Sequence, residues 1–431
     1  MLYDHIAVNG QGHLTISGYD AEALAAQYGT PLMVLDESVV RSRCRVYREA
    51  MAEALPAGSL PLYASKALSF KRIYQLAAQE GLGVDAVSAG ELYTALKAGF
   101  PMDKVYFHGS NKTDFEISFA MEHGVGCFVC DSADELRAVE AEAARRGLRQ
   151  RLLLRLTPGI DPHTHVKINT GRIDSKFGAA IETGQAEALL REALDCAHVE
   201  VLGYHCHIGS QIFDHAPFCD AAALMLDFAA AMERKHGYHA AVLNLGGGMA
   251  VPYVAADPRI DYAANIRKIG ALVRETCGRL GIEPPAVLME PGRSLVADAC
   301  VTLYTVGAIK EIPGFKNYVS IDGGMTDNPR YTLYQSAYTV YLANRMNETA
   351  AGRYTVAGRC CESGDLIQED VSLPRPRRGD LVAVLTTGAY NYAMASNYNR
   401  VPRPAIVMLG ENGPYTAVRR ESLDDLIAND L

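Results

Sequence analysis

Apolar positions along the 431-residue chain follow two rhythms, which change near residue 296. From about residue 37, short apolar runs alternate with longer amphipathic stretches such as Asp134-Glu-Leu-Arg-Ala-Val-Glu-Ala-Glu-Ala143 and Ala221-Ala-Ala-Leu-Met-Leu-Asp-Phe-Ala229. A short apolar run bounded by turn residues reads as a buried strand; a stretch that is apolar every three to four positions reads as a helix. The alternation predicts eight strands, over 62–65, 83–87, 105–108, 126–129, 152–155, 201–205, 242–245 and 286–289. Eight such units in about 250 residues match the count of a (β/α)8 barrel, an α/β fold with helices outside a closed parallel sheet.

Beyond residue 296, strand-like runs follow one another without long helices, over 301–306, 318–321, 338–342, 353–356, 380–385 and 405–408. This pattern predicts a second, all-β domain. The opening residues read as a turn at Gly10-Gln-Gly12, a helix from Asp20 and a strand over 31–36, all expected to pack with that domain. The predicted division is a barrel over 37–295 and a β domain built from 1–36 and 296–431.

Composition narrows the field of functions. With 49% hydrophobic and 21% charged residues, the chain can bury a large core and reads as an ordinary soluble protein. A net charge of −9 argues against a nucleic-acid binder, which needs a basic face. No basic-then-apolar leader opens the sequence and no apolar run reaches the ~20 residues of a membrane helix, so no membrane partner and a cytoplasmic location are expected. The ten cysteines are read as reduced thiols in a chain large enough to be stable without cross-links.

A barrel of this kind carries its chemistry at the C-terminal ends of the strands and binds phosphate at the loops after strands seven and eight. The run Pro61-Leu-Tyr-Ala-Ser-Lys66-Ala67 delivers a lysine where strand one ends. Desolvation against an apolar wall disfavours the ammonium, and a neutral amine attacks carbonyls, so Lys66 is predicted to be a Schiff-base lysine. Taken alone, a lysine at a strand end is usually a solvated charge; its context decides. Strand seven runs into Gly246-Gly-Gly248 and strand eight into Glu290-Pro-Gly-Arg293. Three glycines leave backbone N–H groups unobstructed and the arginine adds a planar fork, which together suit a phosphate.

Asp85, Arg155, His205 and His207 are predicted at the same end, Asp85 and Arg155 as supports for the barrel and His205 as a structural residue. A cofactor bearing both an aldehyde and a phosphate fits this set, namely pyridoxal 5′-phosphate. Lys66 would hold its aldehyde, the glycines with Gly292 and Arg293 its phosphate, and Glu290 its ring nitrogen, keeping the ring an electron sink. The pairs His205-x-His207 and His163-x-His165 offer a competing metal site, but no carboxylate set accompanies them, and no metal is expected.

Several motifs then carry a resemblance. Tyr63-Ala-Ser-Lys66, Gly83-Val-Asp-Ala-Val-Ser-Ala-Gly-Glu-Leu92, Phe107-His-Gly-Ser-Asn-Lys112 and His205-Cys-His-Ile-Gly-Ser-Gln211 lie in the predicted barrel, with Leu245-Gly-Gly-Gly248 and Glu290-Pro-Gly-Arg-Ser294. Asp322-Gly-Gly-Met-Thr-Asp-Asn-Pro-Arg330, Cys361-Glu-Ser-Gly-Asp365 and Gly388-Ala-Tyr390 follow in the β domain. In order and spacing they resemble the alanine-racemase-fold, type III decarboxylases dependent on pyridoxal phosphate, from about residue 20 to the C-terminus. Two departures stand out: Leu68 where relatives commonly carry asparagine, and Met249 where the glycine loop commonly continues with an aromatic residue.

The resemblance implies roles. Lys66 binds the cofactor covalently, His207 stacks on its ring, Ser210, Gly247, Gly248, Gly292 and Arg293 line its phosphate, Glu290 pairs with its ring nitrogen, and Tyr390 reaches both cofactor and substrate. Cys361 is implied as the proton donor, offered across the interface of a homodimer. Arg293, Arg330 and Tyr334 resemble a clamp for a distal substrate carboxylate, and Glu362 its distal ammonium partner. These features imply decarboxylation of meso-2,6-diaminopimelate to L-lysine and CO2, in lysine biosynthesis. A diamine-forming enzyme has no such carboxylate and would leave two arginines facing an ammonium. The competing readings are a related decarboxylase acting on another substrate, a non-catalytic regulator that kept the fold, and a cofactor-free Schiff-base aldolase.

Overall fold

The computed structural model describes residues 1–160 and 175–431. It divides into two compact units, one of Arg41–Ala250 with Ile260–Ser294, the other of Met1–Val40, Val251–Arg259 and Leu295–Leu431. In the first unit the strands are Leu60–Ala64, Gly83–Ala86, Val105–Phe107, Cys127–Cys130, Gln150–Thr157, Val199–His205, Val242–Asn244 and Ala286–Met289. Each pairs in parallel with the next, and the eighth returns to the first through Leu288↔Leu60 and Met289↔Pro61, so the sheet closes. Closure leaves no exposed edge. A cluster of Leu62, Cys127, Val129, Leu153 and Leu288 packs side chains from strands distant in sequence.

The connecting helices end where the sequence supplies caps. Ser88, Thr113, Ser132 and Asp261 each accept a backbone N–H at a helix start, while Gly99, Gly147, Gly237 and Gly281 terminate helices in the left-handed conformation. All ten cysteines are unpaired thiols. Cys127 and Cys130 share a C-x-x-C spacing, but on an extended strand residues three apart point to opposite faces, which separates the two thiols. No helix among the described residues is long and apolar enough to cross a membrane.

The second unit is organised on the strand Cys300–Ile312. It pairs antiparallel with Lys316–Ile321, with Leu32–Asp36 and with Leu381–Leu385. Leu32–Asp36 also runs parallel to Ala405–Gly410, and their contacts with Leu14, Ile16, Leu24, Val301, Leu303 and Ala383 form the core of this unit. The opening residues thus join the β sheet, with a small three-stranded sheet at Ile6–Val8, Leu14–Ile16 and Tyr19–Asp20.

Three features depart from the predicted pattern. Residues 251–259, expected in the barrel, belong to the β unit: Tyr3 Oη donates to the Pro252 carbonyl, Thr339 Oγ1 to that of Tyr253 (2.8 Å) and Arg259 Nη2 to that of Leu2 (3.2 Å). The strands Leu366–Leu373 and Gly413–Val418 were not expected, and the first is interrupted by Asp370 at φ 54°, which breaks its alternation. The β unit also carries short helices at Arg330–Tyr334 and Leu423–Ile427, besides the expected helix from Asp20, which spans Ala21–Tyr28.

Asp327 lies buried in this unit, accepting from Tyr304 Oη and from the Gly324 N–H (3.0 Å). Burial pushes its carboxyl from 3.8 up to about 7; its hydrogen bonds oppose the shift, and the charges of Asp322 and Asp365 add to it. A carboxyl raised in the folded state contributes stability that is fully present below its unfolded value and lost as pH rises through about 7. In Asp327→Asn that loss is absent, so the melting temperature of the variant should gain on the wild type between pH 5 and 8 by several degrees, read by calorimetry. A constant difference across that range would show that Asp327 does not titrate there.

Candidate active site

Lys66 sits on the turn Ser65–Ala67 at the end of the first barrel strand. Its neighbours Ser65 and Ala67 are buried, but its own side chain is 44% exposed, with Nζ 4.0 Å from Asp85 Oδ2. The expected apolar wall is therefore not what surrounds this amine. The Asp85 carboxyl group, from the second strand, stands near it.

Glu290, at the end of the eighth strand, is buried among donors from three other strands. Asn244 Nδ2 donates to its Oε1 at 2.7 Å, His108 Nε2 lies 2.9 Å from Oε1, and His205 Nε2 lies 3.3 Å from either oxygen. Burial raises the pKa of this carboxyl, yet the charges and hydrogen bonds of His108 and His205 outweigh burial and hold it well below the usual range. Glu290 is thus an anion at neutral pH. Burial pushes His205 down to about 4 against the pull of Glu290.

Asp85 behaves in the opposite way. Burial raises its carboxyl, the charge of His108 works against the shift and that of Glu290 reinforces it. Neither of its oxygens has a hydrogen-bond partner among the described residues, and His108 Nε2 stands 3.7 Å away. Two acids at one barrel mouth are driven apart in pKa, as expected of groups assigned to different tasks. Asp85, read as a barrel support, stands with Lys66 at the ends of neighbouring strands.

The glycine loop is tied to the same cluster. Asn244 Oδ1 accepts the Gly246 N–H at 2.9 Å while its Nδ2 holds Glu290, so one side chain couples loop and anion. Gly246 and Gly248 have φ of 68° and 125°. A Cβ on Gly247 would lie 2.0 Å from the Glu290 carbonyl oxygen, and one on Gly248 2.3 Å from that of Gly209, so only glycine fits. Arg293 Nη2 donates to Ser210 Oγ at 3.0 Å, and Gly292 abuts Ala64 at the end of the first strand. His207 Nδ1 accepts the Gly247 N–H at 3.3 Å, and burial, with Lys66 and Arg155, lowers this imidazole well below its ordinary value. His207 is therefore neutral, its Nδ1 unprotonated.

These residues fit pyridoxal 5′-phosphate. Hydroxyl, guanidinium and glycine backbone are there for a phosphate, a buried anion for a cationic ring nitrogen, and the Lys66 amine for the aldehyde. Donor atoms of His108, His205 and Glu290 also lie within 4.8 Å of one another, which is metal-ligand spacing. This grouping differs from the pair read in the sequence, because His207 turns to the glycine loop; His163 and His165 lie outside the described residues.

Other expected residues belong to the β unit. Arg330 is buried, with its Nη1 donating to Tyr338 Oη (3.2 Å) and its guanidinium over the Tyr253 ring (4.9 Å); no carboxylate among the described residues lies within 4.0 Å. Tyr334 ends the short helix that Arg330 begins. Tyr390 holds φ at 61°, unusual for an aromatic residue. Cys361 is exposed, its N–H bonded to Asn399 Oδ1 (2.8 Å), and Glu362 beside it is also exposed. Asp365 braces their loop, accepting the N–H groups of Met325 (2.6 Å) and Cys360 (2.7 Å). Asn244, Tyr338 and Asn391 carry no signal in the sequence, while His108 was visible in a motif without a role.

Comparison with known proteins now places the chain. It belongs to the pyridoxal-dependent decarboxylase family, whose pyridoxal-binding domain matches residues 38–297. Within that family its relatives are diaminopimelate decarboxylases. Those of Bacillus subtilis (strain 168) and Halalkalibacterium halodurans are 45% and 43% identical, each over 98% of this chain and 96% of the relative. The crystal structure of diaminopimelate decarboxylase from M. jannaschii in co-complex with L-lysine superposes with a TM-score of 0.91 at 34% identity, covering 99% of this chain and 98% of the other.

Substituting Gly247→Ala forces the loop off the Glu290 backbone. Apoprotein carrying it should bind pyridoxal 5′-phosphate at least about tenfold more weakly by absorbance titration, with an unchanged far-ultraviolet dichroism spectrum. Unaltered affinity would show that the loop does not contact the cofactor.

Proposed function

We propose that this protein is a carboxy-lyase that decarboxylates meso-2,6-diaminopimelate to L-lysine and CO2, using pyridoxal 5′-phosphate. The observation that carries the substrate reading is the buried Arg330 guanidinium with no acid beside it among the described residues. A buried unpaired cation costs several kcal/mol, a cost that a substrate carboxylate removes and a diamine's ammonium worsens. A lysine/ornithine decarboxylase from Vibrio vulnificus, solved with putrescine, aligns less closely, with a TM-score of 0.76 at 26% identity. The names of the nearer relatives support the same choice.

The bound cofactor supplies an electron sink for the pair left when CO2 departs. Glu290, held as an anion by His108, His205 and Asn244, would keep a proton at the ring nitrogen. Ser210, Gly247, Gly248, Gly292 and Arg293 would hold the phosphate, and neutral His207 would lie against the ring without placing a second cation there. Lys66 would hold the cofactor through Nζ, with Asp85 Oδ2 4.0 Å from that amine. Arg330 with Arg293 and Tyr334 grips the distal carboxylate, Glu362 the distal ammonium, and Tyr390 contacts both cofactor and substrate. Cys361 Sγ gives a proton to the carbon that lost CO2. Its exposure supports donation to a second subunit, and we read the active form as a homodimer. Ten unpaired thiols support a reducing, cytoplasmic setting in which the product serves lysine biosynthesis.

Purified protein should release CO2 from meso-diaminopimelate and not from ornithine, arginine or lysine; release from those alone would overturn the substrate. Lys66→Ala should lose both turnover and the visible band of the bound cofactor. Cys361→Ala should keep the band while kcat falls by about 10² or more, the range of a lost general acid.

A further inference from the structure

A buried guanidinium is ordinarily answered by a carboxylate. Around Arg330 the answer is aromatic instead: Tyr253 lies 4.9 Å and Tyr338 6.0 Å from the guanidinium carbon, the two rings meeting edge to face at 5.4 Å. Aromatic faces favour the cation without neutralising it. Among the described residues one hydrogen bond reaches the guanidinium, and it is directional. Arginine can only donate, so Tyr338 Oη accepts from Arg330 Nη1 at 3.2 Å, and its single proton goes to Asn391 Oδ1 at 3.3 Å. Burial keeps the Tyr338 phenol protonated although the charge of Arg330 opposes this.

Both ends of this relay are anchored. The Tyr338 N–H donates to Gln368 Oε1 at 2.8 Å, and Thr339 Oγ1 to the Tyr253 carbonyl at 2.8 Å, fixing the two rings from their backbones. Asn391 is buried and follows Tyr390, whose left-handed backbone sets the direction in which the amide leaves the chain. The Asn391 Nδ2 group has no partner among the described residues, so its Oδ1 is the atom committed to the relay. An aspartate at 391 would have supplied a negative charge one tyrosine away from Arg330. The neutral amide orients the tyrosine and leaves the arginine's charge unspent.

We infer that Tyr338 and Asn391 are positioning residues that set specificity: the relay Arg330–Tyr338–Asn391 aims an unneutralised guanidinium at an α-amino acid carboxylate and turns away a bare diamine. The inference rests on the reading of Arg330 as the distal-carboxylate clamp. Its chemistry predicts which ligand pair discriminates, since L-lysine keeps the distal carboxylate and cadaverine, otherwise alike, lacks it.

The test measures inhibition of CO2 release from meso-diaminopimelate by L-lysine and by cadaverine in the holoenzyme and in Tyr338→Phe. Loss of the hydroxyl should raise both the KM for diaminopimelate and the inhibition constant of L-lysine about tenfold, with kcat and the cadaverine constant within twofold of wild type. Asn391→Leu, similar in volume, should shift the ratio of the two inhibition constants the same way. This second variant decides the matter if Tyr338→Phe does not fold. Equal shifts for both inhibitors, or none, would overturn the inference. Wild-type protein that releases no CO2 from diaminopimelate would instead overturn the substrate reading itself.

Discussion

The barrel unit depends on one buried anion. Glu290 is stripped of water, at a cost of several kcal/mol for an isolated charge, and it persists as a carboxylate only because three side chains converge on it. Those partners come from the ends of the third, sixth and seventh strands, and the acid itself from the eighth. No local segment could assemble them; closure of the sheet between the eighth strand and the first does so. The same contacts spread the constraint outward. Through Asn244 the anion is tied to Gly246, and the backbone of Glu290 requires glycine at 247. Charge, loop conformation and barrel closure are thus one structural statement.

The β unit solves the complementary problem. There the buried charge is positive, and its surroundings orient it without cancelling it. Glu290 is satisfied within the protein and serves as a fixed reference charge. Arg330 lies against the rings of Tyr253 and Tyr338, with no carboxylate among the described residues within 4.0 Å. An enzyme that must tell an amino acid terminus from a simple amine needs this difference in treatment, because complementary charge is most discriminating where water is excluded.

Much of this was legible in the sequence, for physical reasons that can be named. Buried parallel strands are apolar on both faces, so all eight barrel strands stood out as runs such as Ala286–Met289. Lys66, the glycines 246–248 and Glu290 were found because they follow those runs directly. What escaped depends on distant partners. Asn244 is one polar residue closing an apolar strand, and only the fold reveals that Glu290 is beside it. Residues 251–259 follow the barrel's glycine loop in sequence, but hydrogen bonds to Leu2, Tyr3 and Thr339 place them in the other unit. The apolar wall expected around Lys66 failed for the same reason, since strand two supplies Asp85 there. Tyr338 looked like any aromatic at a strand start, and its tie to Asn391 spans fifty-three residues.

The most direct test is the protonation state of the cofactor's ring nitrogen in the holoenzyme. Reconstitution with pyridoxal 5′-phosphate labelled with nitrogen-15 in the ring, read by solid-state nuclear magnetic resonance, reports it without relying on turnover. With Glu290 held anionic by His108, His205 and Asn244, the nitrogen should carry a proton from pH 6 to 9 and lose it in Glu290→Ala. An unprotonated nitrogen in the wild-type protein at neutral pH would contradict the account.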